Sequence, residues 1–222
     1  MTIRLLVAAV LAILPSTLHR LGGIFLLGWK VHPSAHIGHS IISARKVQIG
    51  ARARIGTGNV IKGLEELTMG EEAVISYLNW ISGPSVESGA FVHSPNRRPA
   101  LIMGDGAAIS GRHIIDCSDT VTFKEFAALG GYRSVVFTHS VDLLRNQQRC
   151  APVTLGERTA VLSNAVMMAG TSVAAHCIVS AGSVVNTPLG KEYTFYRGNP
   201  AEEVRSLPEN LGYFTRTRPH HD

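Results

Sequence analysis

The sequence predicts an all-β protein wound as a parallel β-helix, and three observations carry that prediction. From Leu155 an apolar residue falls at positions 155, 161, 167, 173, 179 and 185. An α-helix needs spacings of three and four and a half-buried strand a spacing of two, whereas a sustained period of six marks stacked coils with short flat faces. The position four residues further on is small or short each time: Thr159, Ala165, Thr171, Cys177 and Ser183. Aromatic residues make up only 6% of the 222 residues while hydrophobic residues reach 45%. A narrow core filled by Ile, Val, Leu and Ala fits that composition, and the apolar content excludes a disordered chain.

The elements follow in chain order. Residues 1–30 form an apolar leader in which LLVAAVLAIL (5–14) follows Arg4, Pro15 interrupts, and a second apolar stretch runs from Ile24 to Trp29. Ten apolar residues are too few to span a bilayer, which takes about 20. Two short helices joined near Pro15 are expected. Residues 1–28 would cover an end of the domain or oligomer, lie on a membrane surface, or be a cleaved signal. The β-helix domain spans 31–187. Its beat starts near Val31, continues through Ile37, Ile49, Ile55, Ile61 and Leu67, and is broken at Ser43. The frame then jumps by two residues to Met69, Ile75 and Ile81, pauses at an insertion around 92–99, and resumes at Met103, Ile109, Ile115 and Val121. A second departure covers about 126–152, ahead of the clean run. Three hexads make one coil, so roughly seven coils are expected. Residues 188–222, with Pro188, Pro200 and Pro208, read as a C-terminal cap and tail with a short helix near 201–206.

The formal net charge of +5 comes from scattered basic residues, apart from Arg97-Arg98 and the tail. No nucleic-acid-binding module is visible, so no nucleic acid partner is expected. Cys117, Cys150 and Cys177 are widely spaced and lack a CxxC, which fits neither a disulfide framework nor a zinc site and favours a reducing, cytoplasmic compartment.

Chemistry is expected where the chain leaves the scaffold. The departure contains Thr138-His139-Ser140-Val141-Asp142, and His139 is the candidate general base, since an imidazole can take a proton from an attacking hydroxyl or amine near neutral pH. Asp142 is the candidate for orienting it. Asn79 and His113, with Asp119, occupy the inward fifth position of their hexads. They either bind acceptor hydroxyls or form an internal hydrogen-bonded ladder. His32, His36 and His39 cluster near the first coil, but their spacing suits a solvated turn and no metal is expected.

Together the [LIV]-G-x-x-small-x units, Thr138-His139-x-x-Asp142, Pro152-Val153-Thr154-Leu155-Gly156 and the ending Ala181-Gly182-Ser183-Val184-Val185 … Gly198-Asn199-Pro200-Ala201 … Arg205 resemble the hexapeptide-repeat acyltransferases, in particular their sugar O-acetyltransferase branch. The resemblance covers about residues 31–207. It implies a left-handed β-helix, a homotrimer with sites between subunits, and acetyl-CoA as donor. His139 is the implied base, and Ala169, Gly170, Ala181, Gly182, Ser183, Asn199, Pro200 and Arg205 the implied CoA contacts. The leader resembles those of acetyltransferases from polysaccharide clusters. The implied activity is O-acetylation of a sugar or glycan hydroxyl in surface polysaccharide synthesis, in the cytoplasm or at the inner face of the membrane. An amino-sugar N-acetyltransferase, a serine O-acetyltransferase and a non-catalytic, metal-binding β-helix are the alternatives.

Overall fold

The computed structural model describes residues 3–218; residues 219–222, the end of the basic tail, lie outside the described residues. Three parallel sheets form the three faces of a prism, two of them with seven strands and one with nine. The chain visits face 1, face 2 and face 3 in turn and then begins the next coil, so each strand pairs with the strand one coil later. Seven coils are completed, as expected from the beat.

The two-residue frame jump has a structural cause. In most coils face 1 buries two side chains where faces 2 and 3 bury one: Val47 and Ile49, Leu67 and Met69, Leu101 and Met103, Val121 and Phe123, Val153 and Leu155. The strand on that face is two residues longer, so Val47 stacks on Leu67 and Leu101 on Val121, twenty residues apart. In the last coil Leu155 stacks on Val173 at the bare eighteen-residue repeat. The inward column of each face is a ladder of fully buried aliphatic groups, for example Ile37, Ile55, Ile75, Ile109, Leu129, Val161 and Val179 on face 2.

This slippage also corrects the extent of the second departure. Residues 126–136 complete the fifth coil, with Ala127, Leu129 and Val136 buried, and only 137–152 leave the prism, as an antiparallel hairpin of His139–Asp142 against Gln147–Cys150. Both insertions, 84–99 and 137–152, leave from the same 3–1 edge, two coils apart, with the turn Asp116–Thr120 between them.

Two helices, α1 (Ile3–Leu11) and α2 (Ser16–Leu27), close the first-coil end. Arg4 donates to the carbonyls of Ala44, Leu27 and Arg45, satisfying oxygens at that open edge. α2 comes close to α1 at Gly22 and to the Trp29 ring at Gly23. A Cβ on Gly22 would lie 2.3 Å from Leu11, and one on Gly23 2.0 Å from the Trp29 ring. At the other end, Thr194–Arg197 adds a parallel strand to face 2 and Glu202–Ser206 pairs antiparallel with it. The helix expected near 201–206 is therefore a strand, because the exposed edge of 194–197 offers unpaired backbone groups that an extended segment satisfies. A short α3 (Gly212–Thr215) packs Phe214 against His176 and Tyr193.

Candidate active site

The 3–1 edge brings together three segments distant in sequence. His139 begins the hairpin, and its Nδ1 lies 2.8 Å from Asp116 Oδ2 in the turn of the coil below. That carboxylate also accepts from the Thr138 N–H at 2.9 Å, the Ser118 N–H at 3.1 Å and the Ser118 hydroxyl at 2.6 Å. Burial would raise the Asp116 pKa, but the bonds from Ser118, His139 and Thr138 outweigh it and hold the group below its ordinary value. An ionised Asp116 at neutral pH fixes the proton on His139 Nδ1 and leaves the Nε2 lone pair for substrate. Nε2 makes no hydrogen bond among the described residues, and the side chain is about one-third exposed.

The first insertion roofs this pair. The Phe91 ring sits 5.3 Å from the imidazole, and Phe137 stands edge-on at 6.4 Å. Phe91 holds a left-handed backbone with φ 60°, a strained setting for a bulky residue that persists only where its surroundings impose it. A turn closed by the Ser94 N–H on the Phe91 carbonyl holds it there, and the buried Arg97 guanidinium, which donates to the carbonyls of Pro84, Ser85 and Ser118, lies 5.3 Å from the Phe91 ring. Ser94 Oγ accepts from the Cys150 N–H at 2.8 Å, tying the same insertion to the hairpin. Between the two insertions lies a cavity of about 330 Å³ lined by Gly89–His93 and Asn146–Gln148. Burial pushes the Cys150 thiol up to about 11, which keeps it protonated at neutral pH.

Several expected roles change. Asp142 does not orient His139. Its carboxylate is held by Arg145 at 2.8 Å, with Arg149 at 3.9 Å, because residues three apart on a strand face opposite sides. Asn79 and His113, each 1% exposed, are walled off inside the 2–3 edge. There Ser40, Asn59, Asn79, His113 and Ser134 form a continuous ladder, with Asn59 Oδ1 accepting the Asn79 N–H, Asn79 Oδ1 accepting the His113 N–H and His113 Nδ1 accepting the Ser134 N–H. Burial lowers the His113 pKa to about 4. Ser183 is likewise buried, its hydroxyl turned to the Gly198 N–H. Asp119 caps the Arg98 N–H, and His32, His36 and His39 each bond a separate neighbour. Among the described residues no group of three His, Cys, Asp or Glu could hold a metal ion.

The remaining expected contacts flank face 3. Ala169 and Gly170 turn the 3–1 edge one coil beyond the hairpin, with a Cβ on Gly170 reaching to 3.4 Å from Ala151. The N–H groups of Ala169 and Gly170 make no hydrogen bond among the described residues. Ala181 and Gly182 turn the 2–3 edge, where Gly198 and Ala201, bracketing exposed Asn199 and Pro200, bond Val184. Arg205 sits on face 2 over Phe195 at 5.8 Å, apart from this strip. Sequence reasoning missed Asp116, Phe91 and Arg97. The available signal was the Asp116-x-Ser118 turn, one coil below the departure.

No family model matches the sequence, and no curated protein matches it. Solved structures do. A hexapeptide-repeat-containing acetyltransferase from Vibrio cholerae O1 biovar eltor, complexed with acetyl coenzyme A, aligns over 92% of this chain and 87% of its own, at 17% identity and TM-score 0.52. A mutant of AntD, an N-acyltransferase from Bacillus cereus in complex with dTDP-4-amino-4,6-dideoxyglucose and coenzyme A, aligns over 88% and 92%, at 14% identity and TM-score 0.53. A galactoside acetyltransferase in complex with coenzyme A aligns over 69% and 72%, at 15% identity and TM-score 0.51. Against another structure of the Vibrio cholerae protein the chain spans 49% of its own length and 63% of that chain, at 25% identity and TM-score 0.46. At these identities the likeness is one of fold: the chain has the coiled parallel architecture of hexapeptide-repeat acetyltransferases of known structure.

Proposed function

We propose that the protein is an acetyl-CoA-dependent O-acetyltransferase acting on a sugar hydroxyl, with His139 as general base and Asp116 as its positioning residue. The observation that carries this reading is the 2.8 Å His139–Asp116 contact at the one edge from which both insertions emerge. His139 Nε2 takes the proton of the acceptor hydroxyl as its oxygen attacks the thioester carbonyl. The carbon–sulfur bond then breaks, and the imidazolium returns the proton to the leaving thiolate. Asp116 stabilises the imidazolium meanwhile. The N–H groups of Ala169 and Gly170, unbonded among the described residues and at the same 3–1 edge one coil on, would serve as backbone donors to the developing oxyanion. The strip across face 3 from Ala169–Gly170 to Ala181–Gly182 and Asn199–Pro200 suits an extended pantetheine arm, since small exposed turns leave backbone groups accessible. Those neighbours with bound acetyl-CoA or CoA support the donor, and the left-handed winding follows from the sequence resemblance.

A homotrimer fits the outer faces. One outward column of face 3 is apolar from end to end, Ile41, Val60, Trp80, Ile114, Val135, Val166 and Val184, while the column nearer the 3–1 edge carries Ser43, Lys62, Ser82 and Asp116. Face 2 beyond its first two coils continues with Val74, Ala108, Ala128 and Ala160, whereas face 1 presents Lys30, Gln48, Thr68, Ile102, Thr122, Thr154 and Ser172, polar at every position but Ile102. Three copies packed through the apolar columns of faces 2 and 3 would leave face 1 wet, with each His139 and the strip beside it opening into the groove against a neighbouring subunit.

An amino-sugar acceptor is the second reading, supported by AntD being an N-acyltransferase. Incubating the protein with acetyl-CoA and a panel of sugars and amino sugars, with mass spectrometry of products, tests both. A product whose acetyl group is removed by hydroxylamine is an ester and bears out the proposal. A hydroxylamine-stable amide moves it to the second reading, and no transfer to any sugar contradicts both.

A further inference from the structure

The helices that close the prism are half-used. Their inner sides bury Ala8, Leu11, His19, Gly23 and Leu27 against the first coil. Their outer sides leave Ile3, Leu6, Val10 and Ile13 exposed along α1 and its exit, and Phe25 and Leu26 exposed on α2, at 51 to 83%. The spacing 3, 6, 10, 13 is one continuous helical stripe. Scattered apolar residues on a surface are ordinary, but a contiguous stripe marks an interaction face.

Charge identifies what covers it. Residues 1–64 contain eight Lys and Arg and no Asp or Glu, while residues 65–222 carry sixteen acidic against thirteen basic residues. Arg20, Lys30 and Arg54 make no ion pair among the described residues. The apolar stripe thus crowns the cationic end of a molecule whose other coils are slightly acidic. Covering it with a second copy end to end would set two such cationic ends together, whereas an anionic bilayer surface satisfies both the apolar and the charged features. Neither helix is long and apolar enough to cross a membrane.

We infer that α1 and α2 form an interfacial dock that seats the first-coil end of the prism on an anionic lipid membrane. In a homotrimer with its axis along the prism, three docks would face the same way and bind together, multiplying a weak single-site affinity. The geometry also bears on the acceptor, and this step rests on the role proposed for His139. The hairpin leaves the fifth coil, four strand spacings of about 4.8 Å from the first, so the base stands roughly 20 Å above the dock. An acceptor at that height is a glycan displayed on a lipid carrier, with its reactive hydroxyl several sugar units from the lipid.

Vesicle flotation of the full chain tests the dock without any enzyme assay. Wild type should float with vesicles of phosphatidylcholine mixed with phosphatidylglycerol and be released by raised salt, and should float weakly with phosphatidylcholine alone. Ile13→Ser with Phe25→Ser should lower the bound fraction about tenfold with an unchanged melting temperature, because both side chains already face solvent. Arg20→Glu with Arg54→Glu should lower binding to the anionic vesicles only. Absence of flotation on anionic vesicles overturns the inference. So does concentration-dependent doubling in mass that Phe25→Ser abolishes while vesicle binding is absent, since the face would then be covered by a second copy.

Discussion

Two edges of the same prism each hold a histidine, and their fates are opposite. His113 sits on the inner side of the 2–3 edge, 1% exposed, in an unbroken ladder of Ser, Asn and His groups, and burial holds its pKa at about 4. His139 sits outside the 3–1 edge, where the coil is interrupted, with one nitrogen on an ionised carboxylate and the other uncommitted. An unbroken coil spends a polar side chain on the wall, whereas an interrupted one releases it towards solvent and substrate. On the proposed function, the first histidine is a stability element and the second a chemical one.

The largest expected effect separates them by activity. His139→Ala should lower the acetyl-transfer rate by about 10²- to 10⁴-fold and leave the melting temperature in place, since the side chain is partly exposed. Asp116→Asn should follow with a loss on the order of 10²-fold, visible in kcat more than in KM, because the amide cannot stabilise the imidazolium. Its pH–rate profile should also shift, a change that a purely structural role would not produce.

His113→Leu should do the reverse: activity at permissive temperature stays within about twofold, and stability falls by roughly 1–3 kcal/mol, as the Ser134 N–H loses its buried acceptor. The pH dependence carries the same signature. The unfolded imidazole takes up its proton near pH 6.5, while the buried one stays neutral down to about 4. The unfolded chain therefore binds the extra proton between those values, and stability declines as pH falls through that window, by about 3 kcal/mol at its lower end. Chemical denaturation from pH 7 to 4 should show that slope in wild type and a shallower one in His113→Leu. The smallest effect belongs to Asp142→Ala. With its carboxylate on Arg145 and Arg149 at the hairpin surface, neither rate nor stability should move measurably, and a large loss of rate would return the orienting role to it.

How much of this the sequence revealed follows from the same contrast. The six-residue beat exposes the prism because burial repeats once per face, and even the frame jump records the longer strand on face 1. The inward fifth position left Asn79 and His113 open to acceptor binding or to a ladder, because spacing alone does not say what lines the wall, and the structure bonds them in the ladder. His139 stood out because the departure isolates it. Asp116 did not, because its partnership is made by stacking one coil on another, across 23 residues, and no local pattern records that register. Asp142 misled by proximity along the chain, where strand alternation turns it to the opposite side. Phe91 and Arg97 were hidden in an insertion whose fold depends on the edge it leans on.

The most direct test of the central claim is the acetyl-transfer rate of His139→Ala beside wild type, using the acceptor that wild type acetylates and with matched melting curves. The account predicts a loss of at least about a hundredfold in a protein that melts as wild type does. A variant that transfers acetyl groups as fast as wild type would contradict it and place the chemistry elsewhere on the prism.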